Sequence, residues 1–179
     1  QITNFGARDG LMHDFVDALY EDEGGQLWIA SAGGISRYAD GVFQSLLQRD
    51  GLGGNRIADL TQDRHGNMWI ATWGGGLELF DKRADTFTHH QYDPDDSTTI
   101  ASNTVFDLLE DSRGIFWVCT DRGLDRFDKD TGVFTHISHD QGFTAKIVHN
   151  IVEDQSGRLW LGTDVGLVQY DAVEGRVLK

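Results

Sequence analysis

Residues 63–81 of this chain, with the sequence DRHGNMWIATWGGGLELFD, decide the fold because their pattern occurs four times. Every copy keeps an Asp, a Gly three residues later, a Trp six residues after the Asp, a second Gly and an aromatic residue. The equivalent residues are Asp22, Gly25, Trp28, Gly34 and Tyr38; Asp63, Gly66, Trp69, Gly76 and Phe80; Asp111, Gly114, Trp117, Gly123 and Phe127; and Asp154, Gly157, Trp160, Gly166 and Tyr170. These Trp residues are separated by 41, 48 and 43 positions. A repeat of this length is typical of β-propellers, in which each repeat forms one blade.

Each repeat has the pattern of four short β-strands. A pair of apolar residues before the Asp, such as Ile57 and Leu60, predicts a first strand. Asp-x-x-Gly predicts a hairpin turn, because Asp accepts bonds from nearby backbone amides and Gly tolerates a positive φ. The apolar run around the Trp predicts a second strand that is buried on both faces. Small residues after the Trp, such as Ala71 and Thr72, indicate close packing near a crowded axis. A Gly-rich turn then leads to a third strand. A fourth strand follows, around Phe43, Phe87 and Phe134.

We therefore predict an all-β fold, a β-propeller of about four four-stranded antiparallel blades. The predicted blades span residues 14–48, 55–92, 103–139 and 147–179, to within a few residues. The chain has neither the capped helical spacing of an α-solenoid nor the leucine ladder of a leucine-rich repeat. Residues 1–6 match the outer strand of a blade when shifted by 41 positions, so they belong either to a neighbouring blade or to the last blade here.

Two arrangements of these blades fit the sequence. Residues 1–6 could complete the last blade and close a ring of four, or the chain could be a segment of a larger propeller. We favour the segment, because residues 177–179 would otherwise compete with residues 2–4 for one sheet edge. Open end blades would expose apolar faces and unpaired edges, so we expect contacts with further propeller blades or self-association.

The composition narrows the possible partners. The chain has 179 residues, 39% of them hydrophobic, and a net charge of −14. This charge repels phosphate backbones and anionic lipids, so we expect no nucleic acid partner. No apolar run is long enough to insert directly into a membrane. The chain begins at Gln1 without a signal peptide, as expected for an excised or processed piece, and its single cysteine, Cys119, is expected to be a small core residue.

The sequence contains no motif of a catalytic, cofactor or metal site, so we predict none of the three. Gly74–Gly76 lies between two strands and is interpreted as a turn rather than a phosphate loop. His89 and His136 recur at equivalent repeat positions, so the pairs that they form with His90 and His139 are interpreted as structural. The repeated Asp residues are interpreted as turn formers rather than catalytic acids. Asp93, Asp95 and Ser97 have calcium-loop spacing, but the required Gly and closing Glu are missing.

Ligand-binding candidates are polar or aromatic residues that do not repeat, on the face where we expect the Gly-rich turns and the connections between blades. These candidates are Trp73, Arg49, Asp121, Arg122, His149 and Asp164. Trp73 stands out because Ala32, Asp121 and Asp164 occupy its position in the other repeats. It is either an exposed ring that stacks on a sugar or an additional core aromatic residue. The long connection at residues 93–103 is either a binding loop or a plain surface loop.

The cadence D-G-L-x-x-N-x-I/V, D-x-x-G-x-x-W-I/L-x-T, G-G-L, F-D resembles the two-component regulator propeller repeat. The residues that carry the resemblance best are Asp50, Gly51, Leu52, Asn55, Ile57, Asp63, Gly66, Trp69, Thr72, Gly76, Leu77, Phe80 and Asp81. The third copy lacks the Asp-Gly-Leu, and the fourth has Lys146 in place of the Asn. The resemblance implies a seven-bladed type of propeller in the periplasmic or extracellular part of an inner-membrane hybrid histidine kinase or diguanylate cyclase. Such a propeller would recognise a small molecule or an oligosaccharide.

Three functions remain open at this point. The leading hypothesis is a non-catalytic, ligand-sensing propeller segment. The second is a secreted propeller glycoside hydrolase or lyase, which would need a convergent pair of carboxylates. The third is a propeller that only binds other proteins.

Overall fold

The structure is a computed structural model that describes residues 2–137 and 142–178, and its strands form four four-stranded antiparallel sheets. Blade one contains β1 (Val16–Glu21), β2 (Leu27–Ser31), β3 (Gly34–Ala39) and β4 (Val42–Leu46); blade two contains β5 (Ile57–Gln62), β6 (Met68–Thr72), β7 (Gly76–Asp81) and β8 (Thr86–His90); blade three contains β9 (Val105–Glu110), β10 (Phe116–Thr120), β11 (Gly123–Asp128) and β12 (Val133–His136); blade four contains β13 (Val148–Glu153), β14 (Leu159–Thr163), β15 (Gly166–Asp171) and β16 (Arg176–Val177). Within each sheet the strands pair in chain order. The predicted propeller of four-stranded antiparallel blades is confirmed.

Apolar cores fill the three interfaces between consecutive blades. Each interface buries the Trp of one blade against the first and second strands of the next. The connection that enters each later blade adds one fully buried apolar side chain. These side chains are Leu52, Ile100 and Phe143. All residues of β6 and β10 are buried, as the continuous apolar runs predict for strands packed on both faces. Each Å² of apolar surface that is removed from water contributes about 25 cal/mol. These apolar interfaces are therefore the main source of stability.

The turns divide the propeller into two faces. The lower face carries the turns between the first and second strands and between the third and fourth strands. The upper face carries the turns between the second and third strands together with the connections between blades. On the upper face a turn residue donates a backbone hydrogen bond to the residue that precedes the first strand of its own blade. These bonds run from Ala32 to Phe15, Trp73 to Arg56, Asp121 to Thr104 and Asp164 to Ile147. They confirm that the Gly-rich turns and the connections share one face.

On the lower face each repeated Asp does more than form a turn. One oxygen, Oδ1, accepts the backbone N–H groups two and four residues later, and the other, Oδ2, accepts the indole N–H of the Trp. The Nε1–Oδ2 distances are 2.9 Å for Trp28 and Asp22, 3.0 Å for Trp69 and Asp63, 3.1 Å for Trp117 and Asp111, and 2.8 Å for Trp160 and Asp154. This bond explains the fixed spacing of six residues between Asp and Trp.

Cations on the lower face join neighbouring blades. A lysine in the turn between the third and fourth strands binds the repeated Asp of the preceding blade. The pairs are Lys82 with Asp22 at 2.8 Å and Lys129 with Asp63 at 3.0 Å. In blade four this position holds Ala172, and Asp111 binds Arg113 of its own turn at 2.7 Å instead. Burial by itself would raise the pKa of Asp22, but the bonds from Lys82 and Trp28 outweigh it and lower the pKa to about 2.

The Ser or Thr that ends each second strand closes the upper turn with its hydroxyl group. In Thr72 this hydroxyl donates to the carbonyl oxygen of Gly76 at 2.9 Å and accepts the N–H of Gly75 at 3.0 Å. Equivalent bonds join Ser31 to Gly34, Thr120 to Gly123 and Thr163 to Gly166. Small size was the property expected at this position, whereas the structure shows that the hydroxyl group is the property used.

Residues 2–6 form no strand in this structure, which differs from the prediction for residues 1–6. The backbone N–H of Gly6 donates to the Asp9 carboxylate at 2.8 Å, and that of Ala7 donates to the Asp14 carboxylate at 2.8 Å. These backbone groups therefore bond side chains instead of a neighbouring strand. The Phe5 ring packs on Tyr38, with 5.6 Å between ring centroids. The assignment of residues 1–6 to a neighbouring or closing blade stays a prediction.

The two outer blades each leave one apolar face open in this chain. Leu19 of blade one is 63% exposed, whereas its equivalent in blade two, Leu60, is 3% exposed. At the other end Leu167 is 67% exposed, whereas its equivalent Leu77 is fully buried. The expected apolar end faces are therefore present. In the described part of the chain no helix has the length and apolar character of a membrane span.

Candidate functional site

Four side chains on the upper face form a continuous row that we call the aromatic strip: Arg56, Trp73, Phe106 and His149. The guanidinium carbon of Arg56 lies 3.6 Å from the centroid of the Trp73 ring. The centroids of Trp73 and Phe106 are 5.2 Å apart with the rings nearly perpendicular, and those of Phe106 and His149 are 5.2 Å apart. The strip crosses from blade two to blade four, and Trp73 is 41% exposed.

Irregularities in the first strands place two of these rings. The strand register shifts between Val105 and Asp107 and again between Val148 and Asn150, so Phe106 and His149 are the extra residues of β-bulges. A bulge redirects the side chain of its extra residue out of the regular alternation. The bulge occurs at the same place in consecutive blades, which brings the two rings into contact.

A second cation–ring pair lies beside the strip. The guanidinium carbon of Arg122 is 4.7 Å from the centroid of the Tyr92 ring, and Tyr92 is 38% exposed. Asn103 and Thr104 connect this pair to Trp73. Oδ1 of Asn103 accepts the backbone N–H of Tyr92 at 2.7 Å, and the carbonyl oxygen of Asn103 accepts that of Gly74 at 2.8 Å. The carbonyl oxygen of Thr104 accepts the backbone N–H of Asp121 at 3.3 Å. Thr104 also forms a β-bridge with Trp73. One dipeptide therefore fixes the position of both pairs.

Of the six candidates predicted from the sequence, four lie together in this region. Trp73 and His149 belong to the aromatic strip, Arg122 covers Tyr92, and Asp121 precedes Arg122 in the same turn. The exposure of Trp73 fits a ring that is available for stacking rather than an additional core residue. Whether these residues bind a ligand stays a prediction.

The other two candidates have local roles. Oδ1 of Asp164 accepts the backbone N–H groups of Lys146 at 3.0 Å and Ile147 at 3.1 Å, so this carboxylate holds the connection into blade four. Arg49 lies in the short 3₁₀ turn Gln48–Asp50, with its Nε 3.9 Å from a carboxylate oxygen of Asp50. No contact in the described residues joins either side chain to the aromatic strip.

Sequence reasoning missed Arg56, Phe106 and Tyr92. A signal for Phe106 was present, because its equivalents in blades two and four are Ala58 and His149, so the position does not repeat. The bulge that exposes this position is a property of strand pairing, which spacing alone does not reveal.

The 93–103 connection is held against blade three. Thr98 accepts the backbone N–H of Phe134 at 2.8 Å, and Asp125 accepts that of Ala101 at 2.8 Å. Nδ1 of His136 lies 2.7 Å from the other oxygen of Asp125, and this hydrogen bond raises the pKa of His136. In the calcium-like segment, carboxylates accept backbone N–H groups within their own turns, such as that of residue 95.

The remaining histidines that were considered as ligands also pack locally. His89 bonds the buried carboxylate of Glu78 at 2.5 Å, and the His90 ring lies between Trp69 and Phe127. His139 lies outside the described residues. Across residues 2–137 and 142–178 no three His, Cys, Asp or Glu side chains are arranged to hold a metal ion.

The first strands also carry an acidic pair that sequence reasoning missed. Asp59 accepts the N–H of Leu108 at 3.1 Å, and Asp107 accepts that of Ile151 at 2.8 Å, so each carboxylate bonds the next blade. Burial, followed by the charge of Asp59, raises the pKa of Asp107 to about 7. Burial also raises the pKa of Asp59. Both pKa values are raised, which fits two buried carboxyl groups of which one carries a proton.

Comparison with known proteins agrees with this architecture. The extracellular domain of the proposed hybrid two component system BT3049 from B. thetaiotaomicron is 25% identical, with a TM-score of 0.88 over 98% of this chain and 26% of that chain. The extracellular domain of the proposed one component system BT4673 from B. thetaiotaomicron is 23% identical, with a TM-score of 0.76 over 93% of this chain and 24% of that chain. PorZ, a surface component of the type-IX secretion system of Porphyromonas gingivalis, is 17% identical, with a TM-score of 0.70 over 92% of this chain and 27% of that chain.

This chain therefore spans about a quarter of the length of these solved structures. A search of curated protein sequences gives no match. The family model described as "Two component regulator propeller" matches residues 10–33, 51–74, 99–122 and 142–165, one segment in each repeat. Together these segments cover more than half of the chain. The chain belongs to the two component regulator propeller family.

Proposed function

We propose that this chain is the ligand-sensing propeller segment of a membrane-bound bacterial signalling receptor, of the hybrid histidine kinase or diguanylate cyclase type. Its upper face recognises a periplasmic carbohydrate or small molecule. The observation that carries this proposal is the aromatic strip, a row of partly exposed rings on the face that also holds the long connection between blades. The extracellular domain of a proposed hybrid two component system among its structural relatives supports the signalling role.

The strip has the chemistry that sugar recognition requires. The apolar C–H face of a sugar ring packs on an aromatic ring, and Trp or Tyr supplies this surface with little loss of side-chain entropy. Trp73 is a Trp whose indole makes no bond to a repeated Asp, in contrast to Trp28, Trp69, Trp117 and Trp160. The Trp73 indole is therefore not part of the hydrogen bonding that holds the blade turns, and its ring can contact a ligand at the surface.

The segment itself is proposed to be non-catalytic. A glycosidase needs one carboxyl group as acid and a second as base or nucleophile, on opposite sides of the scissile bond. On the upper face Asp164 is already bonded to two backbone amides of the connection into blade four. Among the predicted candidates, this leaves Asp121 as the one carboxylate beside the strip. Binding, rather than hydrolysis, is the function that this arrangement supports.

Location and assembly follow from the same proposal. The segment lies in the periplasm or outside the cell as part of an inner-membrane protein, and further propeller blades cover its two open end faces. The exposed Leu19 and Leu167 support this assembly, because their equivalents at the inner interfaces are buried.

Screening the purified protein on an array of oligosaccharides tests this function. Trp73→Ala and Phe106→Ala should lose at least about tenfold in affinity for the bound sugar, or roughly 1.4 kcal/mol. Phe5→Ala is the matched control, since Phe5 is 51% exposed and packs on Tyr38, away from the strip. Equal affinity of wild type and Trp73→Ala would exclude the strip as the site. Release of reducing ends from the bound sugar would favour the enzyme alternative, and absence of any bound sugar would favour a propeller that binds proteins.

A further inference from the structure

We infer that the ligand of the upper face is a sugar that carries an anionic group, a carboxylate or a sulfate, bound by Arg56 and Arg122. This inference rests on the proposed function and names the class of its ligand. The observation behind it is that these two arginines lie on aromatic rings without a carboxylate partner.

The cation–ring contacts of the protein fall into two groups. Arg37, Lys82 and Lys129 contact rings in the blade interfaces and also approach carboxylates. Their carboxylate distances are 4.0 Å to Asp85, 2.8 Å to Asp22 and 3.0 Å to Asp63. Arg56 and Arg122 form the other group, on the upper face. In the described part of the chain no carboxylate oxygen lies within 4.0 Å of either guanidinium group.

Arg56 and Arg122 are distinguished by the combination of a ring contact and a missing ion pair. In the described part of the chain other arginines, such as Arg83 and Arg158, also form no ion pair, but they do not lie over an aromatic ring. Asp164 bonds two backbone amides, and Asp121 lies next to Arg122 in the chain without forming an ion pair with it. The positive charges of the upper face therefore remain available to a ligand.

The position of each guanidinium over a ring leaves its N–H groups available to an oxyanion. The N–H groups of a guanidinium lie in its own plane, so contact of its face with an aromatic ring does not occupy them. This fork matches the two oxygens of a carboxylate or sulfate, and a charge-assisted bidentate pair is about twice as strong as a neutral hydrogen bond. Arg56 contacts Trp73 and Arg122 contacts Tyr92, so each cation stands beside a ring on which a sugar can stack.

The test is an array that carries neutral, uronate-containing and sulfated oligosaccharides, probed with the purified protein. Binding should be confined to the anionic sugars, and the uronate and sulfated spots distinguish the two anions. Tetragalacturonate and its fully methyl-esterified form provide a matched pair for titration whenever uronates bind. Arg56→Gln and Arg122→Gln should each weaken binding at least about tenfold, as loss of one charge-assisted contact requires.

Arg83→Gln is the control, because it removes the same charge from an exposed turn of the lower face. It should bind as the wild type does, with melting temperatures of all three variants within the scatter of replicates. An equal loss in Arg83→Gln would overturn the inference, since net charge alone would then explain binding. Binding of neutral sugars at equal strength would also overturn it while leaving the proposed function intact. Binding of no sugar at all would overturn both.

Discussion

Replacement of Lys129 by Met should destabilise the propeller more than the same replacement at Lys82. Lys129 is the more buried of the two, with 16% of its side chain exposed, and it binds Asp63 at 3.0 Å and Glu110 at 2.8 Å. Lys82 is 32% exposed and binds a single carboxylate, that of Asp22, at 2.8 Å. Met keeps the apolar stem of the lysine in place, so the comparison isolates the ammonium group.

The magnitude follows from what each carboxylate retains. A hydrogen bond to a charged group contributes about 1.5–3 kcal/mol, and breaking a buried ion pair costs about 3–5 kcal/mol. Asp63 keeps the bonds from Trp69 and Asn67, and Glu110 keeps Arg64 at 3.0 Å, so the loss stays near the lower limit. We expect about 3 kcal/mol for Lys129→Met and about 1 kcal/mol for Lys82→Met, whose partner is better solvated.

Urea unfolding followed by tryptophan fluorescence measures both values, because the affected Asp residues each bind an indole group. The double variant Lys129→Met, Asp63→Asn should recover part of the loss, since no carboxylate is then left without its cation. The reasoning is refuted if Lys129→Met unfolds within about 0.5 kcal/mol of the wild type, the range of ordinary surface substitutions. It is also refuted if Lys82→Met costs as much as Lys129→Met.

Three further predictions concern the acidic pair Asp59 and Asp107, an upper turn and an end face. Asp107→Asn should raise the melting temperature at pH 8 and raise it clearly less at pH 5. The raised pKa means that folding takes up a proton between about pH 4 and 7, so the wild type loses stability progressively as pH rises through this window, whereas a neutral Asn does not. An equal effect at both pH values would contradict the pair with Asp59. Gly76→Ala should lower the free energy of unfolding by at least about 3 kcal/mol, because the φ of Gly76 is +90° and a Cβ would collide with the β8 backbone. Gly132→Ala should lower it by about 1 kcal/mol in the same urea assay, because Gly132 has a φ of +77° but open space around it. Leu19→Lys should reduce the self-association of the chain in sedimentation velocity by charging an open end face, and an unchanged sedimentation profile would exclude this face from the contact.

The blade architecture was predictable because it repeats. A position that carries the same residue type four times reports on the blade, and the Asp, Gly and Trp of residues 63–81 therefore located strands and turns. The indole bond of Trp69 was not foreseen, because it depends on where a hairpin places two side chains across six residues. The cation at Lys129 was not foreseen either, since its partner Asp63 is distant in sequence and belongs to another blade.

The candidate site was only half predictable for a related reason. Trp73 was visible as a departure from the repeat, but Phe106 depends on a bulge, and a shift of one residue changes which side chain leaves the sheet. Asp164 shares the turn position of Trp73, yet its carboxylate is short enough to reach the backbone of the neighbouring connection, and it does so. Non-repeating positions therefore identified residues that lie together on the upper face, whereas the contacts of each side chain decided which of them belong to the candidate site.

The indole resonances of the five Trp residues offer the most direct test of the central claim, that the upper face binds the ligand. Four indole N–H groups are bonded to the repeated Asp residues, while Trp73 lies on the upper face. We predict that titration with the strongest sugar from the array shifts one indole signal in a ¹H–¹⁵N NMR spectrum, and that this signal is absent in Trp73→Ala. A shift confined to the Asp-bonded indoles, or no shift at saturating sugar, would contradict the account.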